Sequence, residues 1–164
     1  MIFLSIGSNL ISKFGDRISN IKKIIEHLNL NNVKVVKTSS YFETPSYPNK
    51  KNPKFINIVA EILWNKEPLE LLNKISFIEK TLGRTRNVKN EPRICDIDIV
   101  DFKGIILKSK NLTLPHVNME NRNFVLFPLQ EVCPDWKHPL NNMKIDELIN
   151  NLDTKMMNEI TRIL

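Results

Sequence analysis

The stretch EPRICDIDIVDF, residues 91–102, places two aspartates inside an otherwise apolar run. Its apolar positions predict a buried β-strand: Ile94, Cys95, Ile97, Ile99, Val100 and Phe102. Asp96 and Asp98 then point to the same face, about 6.6 Å apart at roughly 3.3 Å per residue. At an effective dielectric constant near 20, two such charges repel by about 2.5 kcal/mol. Since neither has a cation two residues away on its own face, we expect positive charge to come from elsewhere in the fold.

A D-x-D pair on a strand is typical of a divalent metal site. Mg²⁺ prefers carboxylate oxygens and completes its shell with water and substrate phosphates. Two ions about 3.5–4 Å apart serve phosphoryl transfer. The alternative is an exposed strand edge with solvated aspartates. The segment before the strand favours metal-bound phosphate over a merely solvated basic loop, because it is rich in cations: Arg84, Arg86, Lys89 and Arg93.

The pattern of the remaining residues predicts the order βαββαβ. Strands are predicted at residues 2–7, 33–43 and 55–64, and amphipathic helices at 16–29 and 68–83. This order is typical of an α+β, ferredoxin-like fold with an antiparallel sheet and helices packed on it. In the second helix we expect Leu69, Leu72, Ile75, Phe77, Ile78 and Leu82 to be the apolar positions.

C-terminal additions are expected to complete α/β/α layers around this sheet. They comprise a short helix broken at Pro128 and one further helix near Ile145 to Leu152.

Length and charge limit the possible classes of protein. The 164 residues predict one domain, 1–164, and the net charge of +6 favours a polyanionic partner such as phosphate, nucleic acid or acidic lipid. Apolar runs are too short to span a bilayer and no signal peptide is visible, so we expect no membrane partner and a cytoplasmic location. Cys95 and Cys133 are expected to be reduced structural thiols.

Other candidate residues have two interpretations each. His116 follows a proline in a predicted loop, where phosphate contact and a structural role are equally open. Phe55 and Phe124 are core aromatics in the simpler interpretation. In the other, they stack on a flat ligand whose hydrogen-bonding edge is read by Asn57. A Walker A pattern is absent from the sequence, so an ATP site would not be a P-loop.

Several segments, taken in order, resemble the 6-hydroxymethyl-7,8-dihydropterin pyrophosphokinase family of the folate pathway: IGSNL, YFETP, FINIV, GRTR, PRICDIDIV, LTLPH and NRNFVLFPL. The resemblance runs from Ile6 to about Pro134. It implies an enzyme, a 2-amino-4-hydroxy-6-hydroxymethyldihydropteridine diphosphokinase, that transfers the β,γ-pyrophosphoryl group of ATP to the pterin hydroxymethyl group and releases AMP.

The resemblance also implies roles for individual residues. Asp96 and Asp98 would hold two Mg²⁺ ions, and with Arg84 and Arg93 they would form the catalytic set. ATP would contact Glu79, Arg84, Arg86, Lys89, Arg93, Thr113, His116 and Arg122. The pterin would contact Thr44, Pro45, Tyr47, Phe55, Asn57 and Phe124.

The sequence departs from the family pattern at several positions. The segment KNEPR lacks the Arg-Trp pair that many members carry before the PR, so Lys89 stands for the arginine and nothing replaces the tryptophan. Phe55 lies where tyrosine is common, Val117 where an aromatic often follows the histidine, and Asn111 where some members have a basic residue. We expect these changes to alter ATP affinity and the closing of this segment over the pterin pocket more than the reaction itself.

Two other functions fit the sequence less well. A two-metal phosphodiesterase or nuclease would need more metal-ligating acids near the motif. A ferredoxin-like RNA-binding module is disfavoured because aspartates on a central strand would repel phosphate. We therefore expect ATP and the pterin as partners, no nucleic acid, and a monomer.

Overall fold

β1 (Ile2–Ser8) lies inside an antiparallel sheet, hydrogen-bonded to a neighbour on each side. The computed structural model describes residues 1–85 and 88–164. The other strands are β2 (Lys34–Thr38), β3 (Phe42–Thr44), β4 (Phe55–Leu63), β5 (Asp96–Phe102), the hairpin β6 (Leu107–Lys108) and β7 (Thr113–Leu114), and β8 (Thr161–Arg162). The order across the main sheet is β5-β1-β4-β3-β8, and β2 also pairs with β4.

Helices cover both faces of this sheet. They are α1 (Arg17–Leu30), α2 (Pro68–Thr81), α3 (Asn123–Val132), α4 (Ile145–Asn150) and α5 (Thr154–Asn158), with a 3₁₀ turn at Met119–Asn121. Alternate residues of β1 separate two cores: Ile2, Leu4 and Ile6 pack against α1 and α2, whereas Phe3 packs against α3 and α4. The predicted α/β/α layering follows from this alternation.

The predicted α+β class, with an antiparallel sheet and helices packed on it, is confirmed. The ferredoxin-like detail stays a prediction with which the strand order is compatible. One predicted strand, 33–43, is divided into β2 and β3. The reason lies at Ser39, whose hydroxyl accepts the Val59 N–H at 3.0 Å where a strand carbonyl would otherwise accept it.

Two helix predictions were wrong in detail. The buried stripe of α2 is Leu71, Ile75, Ile78 and Leu82, while Leu69 and Phe77 are exposed. These buried residues follow a spacing of four, three and four, which keeps them on one helical face. α3 is not broken at Pro128 but continues to Val132, and the proline is buried.

The last residues differ most from expectation. The predicted helix near Ile145 to Leu152 ends at Asn150 as α4, and it is followed by a second helix, α5, and by β8. β8 pairs with β3, so the end of the chain adds a strand to the sheet.

β5, the strand that carries Asp96 and Asp98, also differs from the prediction. It begins at Asp96 rather than at Ile94, and it lies at the edge of the main sheet rather than in its centre. Its outer side meets the segment after β7, since the His116 N–H donates to the Val100 carbonyl at 2.9 Å. Among the described residues, none of the helices has the length and apolar character needed to cross a bilayer.

Adjacent residues of α2 provide a test of the observed helix face. Ile78 has 0% of its surface exposed and Phe77 has 56%. We expect Ile78→Ala to lower the free energy of unfolding by about 2–5 kcal/mol. Phe77→Ala should lower it by less than about 1 kcal/mol, because only a surface contact with Lys74 is lost. Urea unfolding measures both, and equal losses would contradict the observed orientation.

Candidate active site

A cleft of about 340 Å³ opens on the sheet face that α3 and α4 cover only in part. Strand register brings its floor together: Asp96 lies opposite Gly7, which lies opposite Asn57 on the other side, and Asp98 lies opposite Ser5. All of these residues line the cleft. The same face therefore carries two carboxylates at one edge and an amide near its middle.

Asp96 is held between two arginines. Arg84 Nη1 donates to its Oδ1 and Arg93 Nη2 to its Oδ2, each at 2.7 Å. Burial alone would raise the pKa of Asp96, but the charges of Arg93 and Arg84 outweigh burial and lower the pKa below its ordinary value. These two cations supply the positive charge that the sequence required.

Glu79 fixes one of these arginines from behind. Its side chain is only 2% exposed, and Oε1 accepts from Arg84 Nη1 at 2.5 Å and from the Ile97 backbone N–H at 2.8 Å. The carboxylate thus joins α2 to the start of β5. It does not line the cleft, so its observed contacts are those of a residue that positions Arg84.

Asp98 faces a second set of cationic and imidazole groups. Arg122 Nη1 donates to Asp98 Oδ2 at 3.3 Å, and His116 Nε2 lies 3.6 Å from the same oxygen. Burial lowers the pKa of His116 more than Asp98 raises it, and Arg122 lowers it further. His116 Nδ1 accepts the Asn118 N–H, so the neutral ring carries its proton on Nε2 toward Asp98. This contact is therefore a hydrogen-bonding one between a neutral imidazole and a carboxylate rather than an ion pair.

The aromatic side of the cleft is formed by β4 and α3. Phe55 and Phe124 both line it, and each ring lies under a guanidinium, Arg93 at 5.1 Å and Arg122 at 5.5 Å from the ring centroids. Asn57 extends over Gly7, where any Cβ would collide with the Asn57 amide oxygen. Residue 7 must therefore be a glycine if the Asn57 amide is to occupy this space.

Two buried polar atoms lack a hydrogen-bond partner among the residues that the structure describes: Thr44 Oγ1 and Arg93 Nε. Both residues line the cleft. Because an unsatisfied buried polar group costs about 1–3 kcal/mol, such groups call for a ligand or water. Thr44 is the cross-strand partner of Phe55, and Arg93 is one of the two arginines bound to Asp96.

Most of the predicted site residues meet in this one cleft: Thr44, Pro45, Tyr47, Phe55, Asn57, Arg84, Arg93, Asp96, Asp98, His116, Arg122 and Phe124. Glu79, Lys89 and Thr113 do not line it. Arg86 lies outside the described residues. Their predicted contacts with ATP stay predictions.

Sequence reasoning missed four residues that also line the cleft, Ser5, Gly7, Asn90 and Met156. Ser5 and Gly7 could have been found from their alternation with Ile2, Leu4 and Ile6 in β1. Nothing in the sequence around Met156 pointed to the cleft, because helix α5 was not predicted.

Asn9 was also missed, although it belongs to the IGSNL segment. Its Nδ2 donates to Ser46 Oγ at 3.2 Å and to the Pro53 carbonyl at 3.1 Å. Its Oδ1 accepts the Arg93 N–H at 2.7 Å. One buried amide thereby fixes Arg93 relative to the loop between β3 and β4.

The carboxylates are the residues able to hold a metal ion. Across residues 1–85 and 88–164, no three His, Cys, Asp or Glu side chains group as a metal site. Asp96 and Asp98 present hard oxygen donors on one face, which is the donor type that Mg²⁺ takes when waters and substrate phosphates complete its shell. The residues present fit that ion.

A family model described as 7,8-dihydro-6-hydroxymethylpterin-pyrophosphokinase matches residues 3–134. The chain is 36% identical over 144 residues to the folic acid synthesis protein fol1 of Pneumocystis carinii, covering 88% of this chain and 19% of that protein. It is also 36% identical to the 2-amino-4-hydroxy-6-hydroxymethyldihydropteridine pyrophosphokinase of Aquifex aeolicus, covering 89% of this chain and 88% of that one.

Solved structures agree with the fold. A Plasmodium falciparum HPPK-DHPS triple mutant with SDX-DHP superimposes with a TM-score of 0.73 at 17% identity, covering 99% of this chain and 47% of that one. The chain thus spans about a fifth of the first curated relatives it matches and about half of this structure.

The arginine pair around Asp96 predicts a dependence of stability on acid. Because the folded pKa lies below the unfolded value, the stabilisation is present above the unfolded pKa and is lost as pH falls through the folded one. We expect the free energy of unfolding to fall below about pH 4, with a shallower fall in Asp96→Asn. Urea unfolding between pH 6 and 2 measures it, with exposed Asp135→Asn as control. Parallel curves for wild type and Asp96→Asn would contradict the prediction.

Proposed function

The chain belongs to the 7,8-dihydro-6-hydroxymethylpterin-pyrophosphokinase family, and on that premise we propose that it transfers the β,γ-pyrophosphoryl group of ATP to 6-hydroxymethyl-7,8-dihydropterin in tetrahydrofolate biosynthesis. The observation that carries the proposal is one cleft in which a carboxylate pair with arginines adjoins an aromatic and amide wall. Such a cleft suits a triphosphate and a flat heterocycle bound side by side.

ATP phosphates would lie at the cationic end. Arg84, Arg93 and Arg122 all donate to carboxylates here, and phosphate oxygens are alternative acceptors for the same guanidinium groups. The unpaired Arg93 Nε is a further donor for them. Positioning and charge stabilisation by such groups account for most of the catalysis in phosphoryl transfer.

Asp96 and Asp98 would hold magnesium, and we propose two ions. Bound Mg²⁺ supplies charge neutralisation of the phosphates and lowers the pKa of the attacking hydroxyl. The two carboxylates extend from one strand in register with Gly7 and Ser5, so the strand itself sets the direction of both donors.

The pterin would lie at the aromatic end. Phe55 and Phe124 offer ring faces, Asn57 offers an amide for the pyrimidine edge, and Thr44 Oγ1 is the unpaired buried hydroxyl nearby. Because the Asn57 amide packs against Gly7, it is held in place, and it favours a ligand whose donors and acceptors match it.

In the proposed reaction the pterin hydroxyl oxygen attacks the β-phosphorus of ATP. A new O–P bond forms as the bond from that phosphorus to the α,β-bridging oxygen breaks, and AMP leaves with the bridging oxygen. The hydroxyl proton passes to solvent or to Asp98, whose side chain is 38% exposed in the cleft. Arg84 and Arg93 compensate the negative charge that develops on the leaving phosphate.

We propose further that the protein acts as a monomer with one domain, residues 1–164, in the cytoplasm. In support of a single domain, residues beyond the family match pack in the same core as residues within it. Cys95 and Cys133 are both free thiols, which suits a reducing compartment.

The deciding experiment is AMP release from ATP and Mg²⁺ with and without 6-hydroxymethyl-7,8-dihydropterin. Pterin-dependent AMP, with a pterin that gains diphosphate, is expected. AMP and pyrophosphate formed equally without the pterin would instead indicate the phosphodiesterase alternative. An absence of AMP from folded protein that binds Mg-ATP would contradict the proposal.

The position of the carboxylate pair predicts that its loss lowers turnover but leaves pterin binding nearly unchanged. We expect Asp96→Ala and Asp98→Ala to lower kcat by about a hundredfold or more, because the groups that organise the phosphates are lost. Pterin affinity should change by less than about threefold, since the aromatic wall is built by other elements. Steady-state kinetics and calorimetry measure these, with Asp135→Ala as control. Normal turnover in either cleft variant would refute the assignment.

Gly7→Ala tests the amide. The added methyl group displaces Asn57, so pterin binding should weaken by roughly fivefold, as expected for loss of about 1 kcal/mol of hydrogen bonding. Asn57→Ala should give a similar loss, and the affinity for Mg-ATP should be unchanged in both. Calorimetry measures the pterin and Mg-ATP affinities of both variants. Wild-type pterin affinity in Gly7→Ala would mean that Asn57 does not contact the ligand.

A further inference from the structure

One residue from the last part of the chain, Met156, lines the cleft, although the family match ends at residue 134. Met156, on α5, lines the cleft together with Phe124 and Tyr47. Its side chain packs at the margin of the second core, as does that of Phe124. The contact is thus supplied by a segment beyond the residues that the family model matches.

Backbone hydrogen bonds hold Met156 in this place. Asn123 Nδ2 donates to the Met156 carbonyl at 2.6 Å, and Asp153 Oδ1 accepts the Met156 N–H at 2.7 Å. Asn123 itself is fully buried and precedes Phe124 in sequence. The methionine and the phenylalanine are therefore fixed relative to one another.

The segment after Met156 is attached to the pterin side of the cleft as well. β8 pairs with β3, the strand that ends at Thr44, and the Tyr41 N–H donates to the Leu164 carbonyl at 2.8 Å. Glu159 accepts hydrogen bonds from the Tyr47 hydroxyl and from Lys50 Nζ through its two different oxygens. One carboxylate thereby ties two residues of the 45–54 loop to the chain end.

We propose that residues 153–164 form the outer wall of the pterin pocket, in which Met156 contacts the bicyclic ring and Glu159 is the positioning residue for Tyr47. This inference rests on the proposed function. The segment lies on the pterin side rather than the ATP side, because it is attached to Asn123, β3 and Tyr47.

The chemistry of methionine suits this place. A thioether is polarisable and apolar, and its sulfur makes favourable contacts with aromatic rings. It adds apolar surface where the segment KNEPR supplies no tryptophan. The hydrogen bond from Tyr47 to Glu159 keeps the tyrosine protonated: burial and this carboxylate raise the pKa of Tyr47.

Neighbouring methionines give a matched test. Met157 lies on the same helix, is 39% exposed and does not line the cleft. Calorimetry with 6-hydroxymethyl-7,8-dihydropterin would be run in the presence of α,β-methylene ATP, whose carbon bridge replaces the oxygen at which the reaction cleaves. We expect Met156→Ala to raise the pterin Kd by about tenfold, equal to 1.4 kcal/mol. Met157→Ala should leave it within about twofold, and the Kd of the ATP analogue should be unchanged in both.

Met156→Gln keeps the unbranched side-chain length and replaces the thioether by an amide, so it separates loss of contact from loss of folding. It should also weaken pterin binding while the melting temperature stays near that of wild type. Equal pterin affinity in wild type, Met156→Ala and Met156→Gln would overturn the inference and leave the proposed function intact. A wild type that binds no pterin would contradict the proposed function itself.

Glu159 is tested by a double-mutant cycle with Tyr47. Glu159→Ala should raise KM for the pterin by about threefold and leave kcat within about twofold, because it acts through Tyr47 rather than on the reacting atoms. In Tyr47→Phe, adding Glu159→Ala should cost less than it does in wild type, since the hydrogen bond is already absent. Strictly additive effects, or a loss in kcat alone, would contradict the positioning role.

Discussion

The ion pairs from Arg84 and Arg93 to Asp96 are the interaction on which the site depends. They allow two carboxylates to stand two residues apart on one strand, and they draw the segment before β5 against the sheet. Glu79 and Asn9 then hold the two arginines from opposite sides, one through α2 and the other through the β3–β4 loop. The cleft is therefore organised by charge, which is the preorganisation that the proposed phosphate chemistry requires.

The remainder of the site lies on the part of the sheet face that α3 and α4 do not cover. α3 and α4 pack on Phe3, Val59 and Val100, whereas the same strands continue past the helices with small or polar residues. Gly7 and Asn57 are in register in this open region. Layer packing thus creates the cleft, and α3 adds Arg122 and Phe124 at its beginning because that helix starts at the margin of the covered area.

Much of this arrangement could be predicted because the signals are local or pairwise. The strand pattern of residues 96–102 places Asp96 and Asp98 together, and the cap of α1 is also local, since Asp16 accepts the Ser19 N–H. The division at Ser39, the exposed Phe77 and the unbroken α3 could not be predicted, since each depends on packing against distant elements. Met156 is the clearest case: its neighbours Asn123 and Phe124 are more than thirty residues away in sequence.

The edge position of β5 has a second consequence, which concerns association between copies. An edge strand exposes backbone groups that can pair with another sheet, and charged residues on such strands oppose that pairing. The Val100 carbonyl already accepts the His116 N–H, and Asp96 and Asp98 with their paired arginines place charged groups toward the start of the strand. The carboxylates proposed to hold magnesium therefore belong to the charged residues that oppose edge-to-edge pairing of sheets.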